Sequence, residues 1–285
     1  MSVDEQLRQV EVGPGEVMAV RELGHGSPVL LVHGVPGSAA VWDTVASRLA
    51  ARHRVLVPDL LGFGASTRSR NLETLSPAGQ ARALIAMLDG LGLDRVAWAG
   101  HDYGAALGLE VARSQPERIS HLALAATNAF PDTPIPFPLS TVTWPVVGGA
   151  FARLVFSGPS LAMTLRKGVA APGCRLDTGA YLGDSGQRAA IGVIFASVLR
   201  NLRDWYAPIE ASLATVNVPT VVVWGDRDPF FSAAQGVRTA EAIPGARLVM
   251  LDKTGHFLPG ERPAELADAI AQLLGDHEPA PVTRG

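Results

Sequence analysis

Asp102, the aspartates at 226 and 228, and His256 have the residue types and chain order of a covalent hydrolytic site. Asp102 stands in Gly100-His101-Asp102-Tyr103-Gly104-Ala105. Small residues around one reactive side chain suit a sharp strand-to-helix turn that lifts a nucleophile above a sheet, a turn that usually reads Gly-x-Ser-x-Gly. Here the central residue is a carboxylate. A carboxylate attacks saturated carbon bearing a leaving group and forms an alkyl ester with it. It needs no base to activate it, and the positive end of the helix that follows favours its anion. The ester must then be hydrolysed. His256 would take a proton from a water, and a downstream aspartate would orient the ring and stabilise the imidazolium.

These residues need a scaffold that brings them to one edge. Short continuous apolar runs recur at PVLLV (28–32), RVLVPD (54–59), RVAWAG (95–100), HLALAA (121–126), TVVVWG (220–225) and RLVMLD (247–252). Strands buried on both faces look like this, as in a parallel sheet. Helical patterns fall between them. Ser76 reads as an N-cap with Pro77 at the first helical position, and Ala81, Leu84, Ile85 and Leu88 share one face. Leu266, Ile270, Leu273 and Leu274 repeat that spacing after Pro263. At the start, QVEV and EVMAVREL flank Gly13-Pro14-Gly15 and predict an edge hairpin. The whole predicts an α/β fold with a mostly parallel, doubly wound sheet. In such sheets reactive groups gather beyond the carboxyl ends of the strands. His33-Gly34-Val35-Pro36, Asp102, Asp226-Arg227-Asp228 and Gly255-His256-Phe257 all follow strand-like runs.

One segment breaks the alternation. Residues 130–208 hold no strand-like run, and their length exceeds what one crossover helix needs. They read as an inserted helical cap. The expected division is a core of residues 1–129 and 209–275, the cap at 130–208 and a flexible tail at 276–285. The cap is rich in apolar aromatics, Phe130, Phe137, Trp144, Phe151, Phe156 and Phe195 among them, so a small apolar substrate, with water, is expected.

Composition excludes other classes. A net charge of −3 with no block of like charges argues against nucleic acid or an anionic membrane as partner. The one cysteine, Cys174, cannot form an internal disulfide and suits a reducing compartment. The first residues show no signal-peptide pattern, and no apolar run approaches the ~18 residues of a membrane span. A cytoplasmic protein is expected, with a homodimer left open. No phosphate loop, dinucleotide fingerprint or metal-spaced His/Cys cluster occurs, so no cofactor and no metal are expected.

Over residues 10–275 the chain resembles the α/β-hydrolase superfamily. Gly-His-Asp-Tyr-Gly-Ala, His-Gly-Val-Pro and Gly62-Phe63-Gly64-Ala65-Ser66 resemble its aspartate-nucleophile branch, which holds epoxide hydrolases, haloalkane dehalogenases and fluoroacetate dehalogenases. The resemblance implies the α/β-hydrolase fold and Asp102 as nucleophile. It implies Asp228, rather than Asp226, as the acid behind His256. It implies an oxyanion hole from the backbone N–H groups of Val35 and Tyr103. Asn128 occupies a place where some members carry the acid, but an amide cannot stabilise an imidazolium as a carboxylate does. Asp59 and Ser66 read as loop-fixing, and His33 and His101 as structural or supporting.

An epoxide oxygen needs a proton as it leaves. Tyr181 resembles the ring-opening tyrosine of epoxide hydrolases, and Tyr206 reads as structural. Pro36, Trp144 and Phe257 are expected to wall the pocket. Dehalogenases would ask for a side-chain donor at Val35 or arginines beside the nucleophile, where the chain has Tyr103 and Ala106. The leading expectation is therefore an epoxide hydrolase that makes a diol through an Asp102 ester. Haloalkane or haloacid dehalogenation by the same route is the alternative. A non-hydrolytic ligand-binding or isomerase scaffold is the alternative of another class.

Overall fold

A computed structural model describes residues 5–69, 71–135, 139–144 and 148–275. The chain runs β1 (Glu5–Gly13), β2 (Glu16–Leu23), β3 (Ser27–Val32), α1 (Asp43–Leu49), β4 (His53–Pro58), α2 (Pro77–Gly90), β5 (Val96–His101), α3 (Tyr103–Ser114) and β6 (Ile119–Ala125). Five helices follow: α4 (Gly148–Val155), α5 (Gly158–Gly168), α6 (Thr178–Leu182), α7 (Ser185–Arg200) and α8 (Leu202–Ser212). The chain then continues through β7 (Thr220–Gly225), α9 (Ala233–Ala242), β8 (Arg247–Leu251), α10 (Leu258–Glu261) and α11 (Pro263–Leu273).

The eight strands form one sheet in the order β1-β2-β4-β3-β5-β6-β7-β8. β1 and β2 pair antiparallel as the predicted edge hairpin, and β2 joins β4 antiparallel; every other pairing is parallel. The continuous apolar runs are explained by two cores. On β3, Leu30 and Val32 face one core while Val29 and Leu31 face the other. β5 alternates in the same way, with Val96 and Trp98 on one side and Ala97 and Ala99 on the other. Each fully buried aliphatic side chain contributes about 1.5–3 kcal/mol, so a strand that fills both cores has no spare polar face. Helices α2, α3 and α9 cover one face; α1 and α11 cover the other.

The connection after β3 turns to β4 and the connection after β5 turns to β6, so the loops leaving β3 and β5 diverge at a switch point. A crevice forms there at the carboxyl ends of the strands. The helical insertion between β6 and β7 lies against these loops. Gln187 of α7 bridges the loops after β3 and β4: its Nε2 donates to Gly37 O at 3.2 Å, and its Oε1 accepts from Gly64 N at 3.2 Å. Ser38 Oγ donates to Ala180 O at 2.9 Å. The sequence run from Gln187 to Tyr206 is two helices, not one. Asn201 leaves helical geometry (φ −119°, ψ 30°) and donates its side-chain amide to Ser197 O, which ends α7 and starts α8. Among the described residues no helix is long and apolar enough to cross a membrane. Phe137 and the predicted tail at 276–285 lie outside the described residues.

Candidate active site

Asp102 occupies the turn between β5 and α3 with φ 52° and ψ −120°, a backbone region that L-residues rarely enter. The surrounding sequence explains how this turn is accommodated. A Cβ on Gly100 would lie 2.4 Å from Ala105 N, and one on Gly104 would lie 2.2 Å from Val32 O. Both glycines are therefore required by backbone approaching backbone. Gly34 plays the same part for the facing loop, because a Cβ there would meet the Asp102 Cβ at 2.5 Å. Beneath the turn, the buried indole of Trp98 donates to Gly104 O at 3.0 Å and braces the first turn of α3.

The bare approach of the Gly34 loop brings Val35 N to 2.8 Å from Asp102 Oδ2. The Tyr103 N–H favours the charged carboxylate as well. Two backbone donors thus support the anion, as the donors of an oxyanion hole do. Burial raises the Asp102 carboxyl above its ordinary value, and the His256 charge and the two N–H groups only partly oppose that rise.

His256 comes from the loop after β8. Its Nδ1 stands 2.8 Å from Asp228 Oδ2, and its Nε2 stands 3.7 Å from Asp102 Oδ1. A carboxylate only accepts, so Nδ1 carries the proton and Nε2 presents its lone pair toward the space beside Asp102. Burial alone would lower the imidazole; the Asp228 charge and hydrogen bond, with the charges of Asp102 and Glu261, outweigh it and raise the pKa. Asp228 is held below the ordinary carboxylate value. Burial pushes it up, but His256 and the N–H groups of Phe231 and Phe230 outweigh that push.

The choice between the two acids has a geometric answer. Asp226 Oδ1 accepts from Thr254 N at 3.0 Å and joins the loop after β7 to the loop after β8, whereas Asp228 points inward to His256. The two supporting histidines hold backbone. Leu60 N donates to His33 Nε2 at 3.0 Å, so His33 Nδ1 carries the proton given to Gly34 O at 2.8 Å. His101 Nε2 lies 2.8 Å from His256 O, and burial pushes its pKa down to about 3, so it stays neutral and donates there. Asp59 accepts from Ala39 N and Ala65 N and, with Ser66, fixes loops. Asn128 Oδ1 accepts from Phe130 N and Thr133 Oγ1, which makes it a loop-fixing residue at the cavity edge.

A cavity of about 380 Å³ opens above Asp102. Its walls are mostly apolar and include Val35, Pro36, Phe156, Ile194 and Phe257, with Tyr103, Tyr206 and His256 near the carboxylate. Two expectations fail here. Trp144 is 47% exposed, stacks edge-on with Phe151 and does not line the cavity. Tyr181 does not line it either. The short helix α6, capped by Asp177 at Gly179 N, turns Tyr181 toward α10, where its ring meets Phe257 edge-on at 5.1 Å. Phe257 therefore stands between Tyr181 and the cavity.

The tyrosine the sequence reading set aside takes that place. Tyr206 lines the cavity; burial first, and then the Asp102 charge, push its phenol up. Tyr103 is pushed up by burial, then by Tyr206 and Asp102, and among the described residues its buried hydroxyl has no hydrogen-bond partner. Both phenols thus sense the Asp102 charge. The only sequence signal was arithmetic: three tyrosines, one beside the nucleophile and two in the insertion. Among the described residues no group of three or more His, Cys, Asp or Glu side chains could hold a metal ion.

The doubly wound sheet, the strained turn and the loops converging on Asp102 define a hydrolase scaffold, and residues 29–269 match the alpha/beta hydrolase family; the chain belongs to it. Epoxide hydrolase A of Mycobacterium tuberculosis strain H37Rv is 27% identical, covering 91% of this chain and 94% of that relative. Two solved structures superpose with a TM-score of 0.79 at 20% identity, each covering 96% of this chain and 100% of its own. They are the haloalkane dehalogenase DbeA from Bradyrhizobium elkani USDA94 and the 2-hydroxy-6-oxo-6-phenylhexa-2,4-dienoate hydrolase from Rhodococcus sp. strain RHA1. At that identity they show a shared fold.

Proposed function

We propose that the protein opens the epoxide ring of an apolar substrate to a diol through a covalent ester at Asp102. The observation that carries this reading is the Asp102 carboxylate itself. One oxygen is engaged by Val35 N–H and the other stands 3.7 Å from His256 Nε2, in a residue that lines the cavity together with Tyr206. A serine hydrolase would have a hydroxyl at this turn, with the histidine within hydrogen-bond reach to activate it.

In the first step Oδ1 attacks a ring carbon and the ring C–O bond breaks. The oxygen leaves with the bonding pair and takes a proton from Tyr206. Tyr206 replaces Tyr181 in this role. Both phenols are raised above 10, so they carry their protons at neutral pH. In the second step a water gives a proton to His256 Nε2 and attacks Cγ of Asp102. Negative charge gathers on Oδ2, which accepts from Val35 N–H, and the Tyr103 N–H is assigned as the second donor. The Cγ–Oδ1 bond breaks, Oδ1 leaves as the second hydroxyl of the diol, and His256 returns the proton. The regenerated Asp102 carboxyl, which still carries the water's second proton, releases it, and the phenolate takes one back, so the cycle closes with no net proton change. The helical insertion acts as a cap over the cavity, whose walls it supplies through Phe156, Ile194 and Tyr206.

A paired assay tests this: styrene oxide and a 1-haloalkane, scoring diol against halide, with one turnover run in ¹⁸O-water. Diol from the epoxide, with the label retained on the peptide carrying Asp102, is expected. Halide release without diol would replace the epoxide reading by dehalogenation through the same ester.

A further inference from the structure

The mechanism above uses two carboxylates. A third, Glu261, is only 7% exposed and lies beside the histidine loop. Its Oε2 accepts from Ala170 N at 2.8 Å, Ala171 N at 2.9 Å and Gly255 N at 3.0 Å; its Oε1 accepts from Phe257 N at 3.1 Å. Among the described residues it forms no ion pair, so backbone N–H dipoles hold its charge. The donors belong to two stretches of chain far apart in sequence. Ala170 and Ala171 follow α5 in the insertion. Gly255 and Phe257 flank His256.

The two stretches touch directly as well. His256 N donates to Gly168 O at 2.7 Å, and a Cβ on Gly255 would come within 2.0 Å of that same oxygen. Four N–H dipoles converging on one buried point would repel one another without an anion at their focus. Removing that anion would leave buried donors unpaired.

We propose that Glu261 is a positioning residue for ester hydrolysis: it fastens the histidine loop to the helical insertion and places a fixed negative charge beside the imidazolium formed in that step. This rests on the reading of His256 as base toward an Asp102 ester. Before the substrate reacts, three carboxylates bear on His256: Asp228, Asp102 and Glu261. Esterification neutralises Asp102. Asp228 and Glu261 alone then support the imidazolium. The other groups against the ring are neutral: His101 at 5.0 Å, and the rings of Phe230, Phe231 and Phe257. On its far side Glu261 faces Tyr181 and Cys174, both of which hold their protons more tightly through burial and its charge.

The test is Glu261→Gln in the full chain, with ester formation and ester hydrolysis followed separately by quenched flow and peptide mass, using styrene oxide. Ester formation should stay within about 2-fold of wild type, because Asp102 needs no base. Hydrolysis should slow by about 10-fold, and its acidic limb should move down by roughly 0.5–1 pH unit. Equal slowing of both steps with an unmoved limb would reduce Glu261 to a packing role and overturn the proposal, as would unchanged hydrolysis. A wild-type chain that never forms the ester would overturn the underlying reading instead. A second measurement avoids the variant altogether. Amide hydrogen exchange in the wild type should place Ala170, Ala171, Gly255 and Phe257 among the slow amides, and exchange at free-loop rates would overturn the clamp even if Glu261→Gln fails to fold.

Discussion

His256 Nε2 stands 3.7 Å from Asp102 Oδ1, beyond hydrogen-bond distance, while its Nδ1 is 2.8 Å from Asp228. The histidine is tied to its acid and held off its nucleophile. That spacing suits a base acting on an intervening water better than one activating the nucleophile. His256→Gln should therefore leave ester formation nearly intact and slow hydrolysis by at least about 10³-fold. Mass spectrometry of the peptide carrying Asp102 should show the adduct accumulating; an unmodified peptide after exposure to a reactive epoxide would refute the covalent route.

The two tyrosines of the insertion should separate cleanly. Tyr206→Phe removes a phenol that lines the cavity, and ester formation with epoxides should fall about 100-fold. Tyr181→Phe removes a buried hydroxyl that has no partner, so rates should hold and stability should change by less than about 1 kcal/mol. Single-turnover kinetics on both variants decide the matter, and the reverse ranking would return the role to Tyr181.

Acid should inhibit the two steps through different groups. Ester formation needs ionised Asp102, whose pKa is raised, so its rate should fall as pH drops through a value above the ordinary 3.8. Hydrolysis needs neutral His256, an imidazole that Asp228 still supports after Asp102 is esterified, so it should fail first, at a higher pH than ester formation. Between those two values the ester should accumulate in the wild-type chain. Pre-steady-state profiles with one shared limb would contradict this assignment.

The turn at Asp102 should be intolerant of bulk. A Cβ on Gly104 would lie 2.2 Å from Val32 O and 2.6 Å from His33 O, both backbone, so Gly104→Ala should cost about 3 kcal/mol. A Cβ on Gly158, at the start of α5, meets nothing within 4 Å, and Gly158→Ala should stay within about 1 kcal/mol of wild type. Denaturant midpoints at constant slope make the comparison.

What could be read in the sequence depended on whether a feature was local. The parallel strands were visible because runs such as TVVVWG must fill two cores at once. Asp102 was visible because the glycines around it answer to a local backbone constraint. Choosing Asp228 over Asp226 needed a pattern carried over from relatives, since the two are the same residue type two positions apart. Only side-chain direction distinguishes them. Which of Tyr206 and Tyr181 lines the cavity was illegible for a related reason. α6 is five residues long and has too little periodicity to show which way it faces. Its orientation follows from Ser38, Asp177 and Phe257, none of which is adjacent to Tyr181 in the sequence. Glu261 was invisible because its partners are backbone groups.

The strained backbone at residue 102 divides labour between two sets of residues. Gly34, Gly100 and Gly104 decide where the Cβ of residue 102 stands. The side chain beyond that Cβ is not dictated by these close contacts, so the frame fixes a position and leaves the functional group presented there to the identity of one residue.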